Sequence, residues 1–476
     1  MEMKSLIRPQ MNLTSNRFLR ILAISFTICI LLYFITSLSL LWTNSNFRNF
    51  LVSSSHFSQP LSLDHIVFGL ASSKTSWMKQ KEFVKIWWKP ESMRGCIFLD
   101  NIPPEMNNTR DILALPPICV SQDTSRFRYT YKHGYRSFIR VARIVSETVS
   151  LNQSDVRWYV FGDGHTVFIP ENLVKTLSKY DHELWYYIGS NSEIYEQNTG
   201  NSFEMAFWGG GFAVSAPLAK ALAKVFDSCL ERYPHLYGSD GRIYACLAEL
   251  GVGLTRERGF HPVDVRGNIF GLLAAHPITP LVSLSHLNEV DPIFPNMSAT
   301  NALHHLFKSV TADPERILQQ TVCYDRWFSW TISVSWGYAV EVFNQHIHLS
   351  DAIRIQDTFT PWKKGAAANY LYSTRPLHPD PCRRSTIFFL NEVHSERTKS
   401  MTKYRRILPE NCTFDPMKSP KKLQEIVVLS RKSNLSINQL RAPRRQCCEV
   451  LPPTTVSRLE LSIRECRDDE LIRIHV

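Results

Sequence analysis

The chain has 476 residues, 44% of them hydrophobic and 20% charged. That balance excludes a disordered chain, and the length allows an anchor plus about two folded units. The formal charge of +11 does not indicate nucleic-acid binding, because Lys and Arg are spread along the chain with no cluster and no interleaved aromatic platform; it is compatible with a polyanionic nucleotide diphosphate.

From Ile21 to Trp42 no residue is charged, and at about 1.5 Å per residue that run spans a hydrocarbon core as a helix. Lys4, Arg8, Arg17 and Arg20 precede it against Glu2. The asymmetry keeps the tail, 1–20, in the cytosol and sends everything after residue 43 to the lumen. The run is longer than a cleaved signal and lacks a small-x-small site, so an uncleaved signal-anchor over 21–42 is expected. Residues 43–62, rich in Ser and Asn, read as a stem.

Beyond Cys29, in the anchor, ten cysteines follow, enough for up to five disulfides of open connectivity. No CxxC pair suggests a zinc ribbon. Asn107, Asn152, Asn296, Asn411 and Asn434 sit in N-x-S/T triplets, which support a lumenal location weakly.

The folded elements begin at His65–Ser72, a short apolar run that reads as a buried strand. Trp77–Trp88 reads as a helix stopped by Pro90. Cys96–Asp100 is a strand, Arg136–Glu147 a helix, and Arg157–Ile169 a strand running into a loop, with Pro170 opening the next helix. Tyr186–Ile188 is a further strand and Pro217–Arg232 a helix; Ser239–Leu250 is another, with Ser239 as N-cap and Gly251 behind it. This alternation predicts an α/β domain over about 63–300. In 301–476 the runs STIFFL, IVVLS and LELSI predict a mainly β unit that holds more than half of the lumenal cysteines.

Four segments carry a resemblance. Arg157 to Phe168, with Gly162-Asp163-Gly164-His165-Thr166 at its centre, is similar to the strand of Fringe-like (family-31-type) β-1,3-glycosyltransferases that ends in an Asp-x-Asp metal motif. Phe207 to Ser215, containing Trp208, Gly209, Gly210 and Gly211, resembles that family's glycine-rich segment under the sugar. Tyr237-Gly238-Ser239-Asp240 and Gly259-Phe260-His261 complete the order. The plant Fringe-related family of unknown function resembles the chain most, sharing Trp87-Trp88, the LLAAHP run around His276 and the pair Cys447-Cys448. The similarity covers nearly everything after the stem.

The resemblance implies a GT-A-like nucleotide-sugar fold and an inverting Golgi hexosyltransferase. Its UDP-sugar donor would pass a hexose or N-acetylhexosamine to a glycan or glycoprotein acceptor, with Mn²⁺ on Asp163, His165 and His261. Asp240 would be the catalytic base, Asp100 would hold the uridine, the three glycines would approach the sugar, and Glu204 and Trp208 would touch it. Independently, residues i and i+2 of a strand share a face, so Asp163 and His165 can point at one ion, and Mn²⁺ accepts nitrogen donors where Mg²⁺ prefers oxygen.

The chain departs from the family's Gly-Asp-Asp-Asp-Thr at residues 164 and 165. The site is therefore either a working Mn²⁺ site of lower charge or a decayed one in a silent glycan-binding or partner-stabilising protein. Plainer readings stand beside these: Asp163 and His165 as polar strand-closers, Asp240 as a dipole complement needing burial to act as a base, the glycines as a turn, and His276 and His286 as core residues or ligands.

Overall fold

The computed structural model describes residues 20–21, 23–39, 59–103, 113–363, 365, 367, 369–407, 412–452 and 455–474. Two compact units result, Met1–Pro60 and Leu61–Val476. In the first, 20–21 and 23–39 are helical and largely exposed. The expected anchor, 21–42, lies partly outside the described residues, as do most of the tail and stem and the triplets at Asn107 and Asn411. No helix among the described residues is long and apolar enough to cross a membrane.

The second unit is mixed α/β. Its strands begin with β1 (Ile66–Ala71), β2 (Arg94–Leu99), β3 (Ile118–Val120), β4 (Trp158–Asp163), β5 (Val167–Phe168), β6 (Tyr187–Gly189), β7 (Phe212–Ser215) and β8 (Leu254–Arg256). All but β5 form one sheet in the order β3-β2-β1-β4-β7-β6-β8. Within it β7 alone runs antiparallel. From β1 the chain passes to β2 and β3 on one side, then returns to β4 on the other. The order therefore reverses between β1 and β4, the place where open α/β sheets take ligands at their carboxyl ends.

Helices α1 (Lys74–Trp87), α2 (Ser137–Ser150), α3 (Pro170–Leu177), α4 (Tyr195–Gly200), α5 (Ala216–Arg232), α6 (Ser239–Glu249), α7 (Phe270–Ala274) and α8 (Ala299–Ala312) cover the strands. The Ser73 side chain caps α1 by accepting the Ser76 N–H. The buried positions Trp77, Gln80, Phe83, Val84 and Trp87 follow the helical period, and Trp87 and Trp88 meet Phe68 of β1, with Trp87 also on Phe168. The expected Ser239 cap is corrected by one residue: Gly238 is the N-cap, and Ser239 lies inside the helix with its hydroxyl on Asp240 Oδ1. Gly251 follows α6 at φ +77°, a left-handed position that only glycine takes without strain.

Small pairings tie the middle of the chain together. β9 (Phe260–His261) and β11 (Ser283–Leu284) extend β5, β10 (Val265–Gly267) pairs with β16 (Phe359–Pro361), and β15 (Ile355–Asp357) pairs with β17 (Thr374–Pro376). The remaining strands, β12 (Gln320–Tyr324), β13 (Thr331–Ser335), β14 (Ala339–Phe343), β18 (Thr386–Ser395), β19 (Lys399–Arg405), β20 (Glu425–Arg431), β21 (Cys447–Val450) and β22 (Arg458–Arg464), make an eight-stranded sheet. The runs STIFFL, IVVLS and LELSI are its strands β18, β20 and β22.

The boundary expected at residue 300 does not divide the packing. One apolar cluster runs from Phe68 of β1 through Leu273 and Phe294 to Trp336, Phe388 and Ile426. The cause is α8, which packs against both α1 and β18. It covers a sheet face that would otherwise lie bare to water. All ten cysteines after Cys29 pair, as Cys96–Cys119, Cys229–Cys246, Cys323–Cys448, Cys382–Cys412 and Cys447–Cys466, and Cys29 is free.

Candidate active site

The carboxyl edge of the first sheet gathers chemistry-bearing residues because six parallel strands end there. Ala71 of β1 lies opposite Asp163 of β4 in register. Ser72 and Asp100 follow β1 and β2 directly, and the turn 208–211 leads into antiparallel β7 from the same edge. Asp100 accepts the Lys74 N–H at 2.7 Å and so satisfies a free donor at the start of α1. Arg140 of α2 joins them: its guanidinium donates to Ser72 O at 2.7 Å and Ser121 Oγ at 3.3 Å. Burial holds its pKa below the ordinary value, and the Asp100 charge opposes that shift. No sequence motif marks Arg140; only the fold brings it to the crevice.

Asp163 closes β4 in a tight turn. Its Oδ1 accepts the His165 N–H at 2.8 Å, and its own N–H donates to Thr166 Oγ1 at 2.9 Å. The Thr166 hydroxyl donates to Gly209 O at 2.8 Å, while the neighbouring Trp208 N–H donates to Asp240 Oδ2 at 3.2 Å. The turn 208–211 thus bridges Asp163 and Asp240. Burial raises the Asp240 pKa above the ordinary carboxylate value; the bonds from Ser239 and Trp208 pull it down, and the nearby Asp163 charge adds a smaller push upward. That shift meets the requirement for basicity set out from the sequence.

The glycines take a different part from the one expected. A Cβ on Gly209 would come within 2.7 Å of His286, one on Gly210 within 3.1 Å of Pro262, and one on Gly211 within 2.7 Å of Phe168. Their missing side chains make room for neighbouring protein atoms. Trp208 is 5% exposed, its indole packed on Phe161 and Phe212, so it offers the site its backbone N–H. Glu204 Oε2 accepts the Leu254 N–H at the start of β8.

Asp163 and His165 are neighbours, 3.8 Å apart between Oδ1 and Nδ1 and about a quarter exposed. His261 does not join them. Its ring is buried, with Nδ1 2.8 Å from Glu193 Oε1 and Nε2 3.0 Å from His276 Nδ1. The imidazole that does approach His165 is His286, stacked at 5.9 Å between ring centroids. His286 Nδ1 donates to Pro262 O at 2.9 Å. Among the described residues the only trio of His, Cys, Asp or Glu donors within 4.8 Å is Cys447, Cys466 and Glu470, and its cysteines are bonded to each other. The set Asp163, His165 and His261 therefore does not fit one ion. The reason is local: Pro262 turns its carbonyl to His286, and His261 on the adjoining residue serves Glu193.

A family model described as "Protein of unknown function, DUF604" matches residues 197–448. No curated protein shows significant sequence similarity to the chain. Among solved structures, the apo form of mouse xyloside xylosyltransferase 1 aligns at 7% identity over 41% of this chain and 86% of that one. Its TM-score of 0.28 is too low to identify a fold.

Proposed function

Since the chain belongs to DUF604, a family described as of unknown function, its activity has to be argued from its sheet edge, and we propose a UDP-sugar-dependent inverting glycosyltransferase of GT-A-like fold. One observation carries the reading: Asp163 ends β4 at the reversal of strand order, bridged through the turn 208–211 to a carboxyl whose pKa is raised. The donor lies in the β1–β4 crevice, its uridine beside Asp100 and its diphosphate met by the Arg140 guanidinium. Asp240 takes the proton of the acceptor hydroxyl. That oxygen attacks the anomeric carbon from the face opposite the diphosphate, and the C–O bond to the diphosphate breaks with its electron pair leaving on UDP. The acceptor is a glycan or glycoprotein. The apolar run 21–42 and its basic flank support an anchored, lumenal Golgi enzyme.

The test is a thermal-shift screen and transfer assay on the full chain in detergent, with common UDP-sugars and with and without Mn²⁺, the ion expected from the sequence. A bound donor at 100 times its Kd stabilises by about 2.7 kcal/mol. The absence of both stabilisation and turnover with every donor would refute the proposal. Stabilisation without turnover would favour the second reading, a silent glycan-binding or partner-stabilising protein, which the separation of His261 from Asp163 and His165 supports.

A further inference from the structure

A second cavity opens along the same edge, past the carboxyl ends of β6 and β8. Its volume is about 590 Å³, within the roughly 300–1,000 Å³ of small-molecule sites. Arg256, Arg258, Arg354 and Arg445 line it, against one lining carboxylate, Glu193. Arg256 and Arg258 are exposed, and neither side chain has a hydrogen-bond or ion-pair partner among the described residues. Arg256 ends β8 and Arg258 stands in the turn that follows it. Arg445 arrives from the far end of the chain, held by Gln320 O at 3.0 Å.

The floor is polar and its proton inventory can be worked out. His276 Nε2 lies 2.9 Å from Thr279 O. A carbonyl only accepts, so that nitrogen carries hydrogen, and burial keeps the ring neutral. His276 Nδ1 is then an acceptor, and His261 Nε2 must donate to it. On its other side His261 Nδ1 meets Glu193 Oε1 at 2.8 Å. Glu193 is held in place by that contact, yet among the described residues its Oε2 finds no partner. Neither do the amide nitrogen and oxygen of Asn191 or the Tyr372 hydroxyl. Asn191 is 1% exposed. Buried polar groups in folded proteins are ordinarily satisfied, so a cluster of orphans in one lining points to a missing partner.

Val263 adds a third observation. It is fully buried at φ +48°, a costly backbone state for a β-branched residue and one that clusters at functional sites. This turn joins the two regions, with Pro262 O facing His286 and His261 facing Glu193.

We propose that the cavity binds an acidic carbohydrate, a small polyol bearing a carboxylate or a phosphate. The guanidinium forks take the anion, and the hydroxyls supply donors to Glu193 and complementary partners to Asn191 and Tyr372. The assignment does not depend on the transfer reaction. Its test is isothermal titration of the full chain in detergent with digalacturonate, glucose 6-phosphate, maltose and inorganic phosphate. At least one acidic sugar should bind ten times more tightly than maltose, and the stronger of the two tells carboxylate from phosphate. R256A/R258A, at exposed positions, should weaken binding at least tenfold, and N191A should weaken it with every charge kept. Equal affinity for maltose, equal affinity for bare phosphate, indifference to R256A/R258A, or no binding of either acidic sugar would overturn the proposal.

Discussion

The side-chain nitrogen of Gln80 stands 3.0 Å from Nδ1 and 3.1 Å from Nε2 of His165, across the ring edge that would have to open for the imidazole to bind an ion. Gln80 is held there from behind, its Oε1 accepting the Ser72 hydroxyl. It can lie there because residue 164 has no side chain: a Cβ on Gly164 would fall 2.3 Å from Gln80 Oε1 and 2.7 Å from its Cβ. The two departures from the Fringe-like motif, Gly164 and His165, thus share one neighbour on α1.

Gly164→Ala should therefore cost about 1–3 kcal/mol through overpacking, although the position carries no positive-φ strain. Gln80→Gly removes the obstacle, the Cβ included. Combined with it, Gly164→Ala should become nearly neutral, so that the pair couples by about 0.5–3 kcal/mol in a double-mutant cycle. Denaturant melts of the four proteins measure this, and simple additivity would show that Gln80 does not occupy the space.

Asp240→Asn keeps an oxygen for the Trp208 N–H and removes a carboxylate that is costly to bury. Burial raises the Asp240 pKa, so its contribution to stability is present below the unfolded pKa and is lost as pH rises through the folded one. At neutral pH the variant should melt at the same temperature as the parent or higher. Transfer should fall by about 10²–10⁴-fold, and the acid limb of the parent's rate profile should lie above the usual carboxylate range. Retained turnover in the variant would remove Asp240 from the mechanism.

Much of the sheet was legible in the sequence, since β1, β2, β4, α1 and α5 announce themselves through apolar runs, the Trp77–Trp87 period and proline or glycine stops. Other elements gave weaker signals. β7 hides behind the glycine turn, and α8 reads ambiguously because it is apolar toward two partners. At the proposed site, Asp163, His165 and Asp240 were singled out by the resemblance to Fringe-like motifs, the first two also by their i, i+2 spacing on a strand. Arg140 and Gln80 were not, and His286 stayed open between core residue and ligand, because each arrives from a separate element and only the fold brings them in. The misassignment of His261 has the same origin: a side chain's direction depends on the turn at Val263, and no motif encodes that.

Acid should destabilise the protein through its buried histidines. His305 is 9% exposed, with Nε2 2.9 Å from Leu390 O, and burial is the main cause of its lowered pKa. The His276 pKa is lowered further by burial and by His261. A histidine with a depressed folded pKa binds its proton more readily when unfolded, so its stability is whole above the ordinary pKa of about 6.5 and declines as pH falls below it. His305→Gln keeps a donor for Leu390 O but does not titrate. Its melting temperature should fall less than the parent's between about pH 7.5 and pH 5.5; parallel slopes would mean that His305 is already charged in the fold.

The bridge Cys229–Cys246 joins α5 to α6, the helix that carries Asp240, and both cysteines are 1% exposed. Its ends are 17 residues apart, for which loop-closure entropy predicts about 3 kcal/mol of stabilisation. Cys382–Cys412 spans 30 residues between more exposed partners on the other sheet's side of the molecule, so the entropic argument alone ranks it slightly higher. Position reverses the functional ranking. C229A/C246A should lower stability by about 2–4 kcal/mol and speed amide exchange along α6, loosening the Trp208–Asp240 bond that ties the carboxyl to the turn 208–211. C382A/C412A should lower stability comparably while leaving exchange in α6 at the parent's rate. Exchange mapped by mass spectrometry separates the two, and equal loosening of α6 in both variants would show that the bridge beside Asp240 acts only on the unfolded chain.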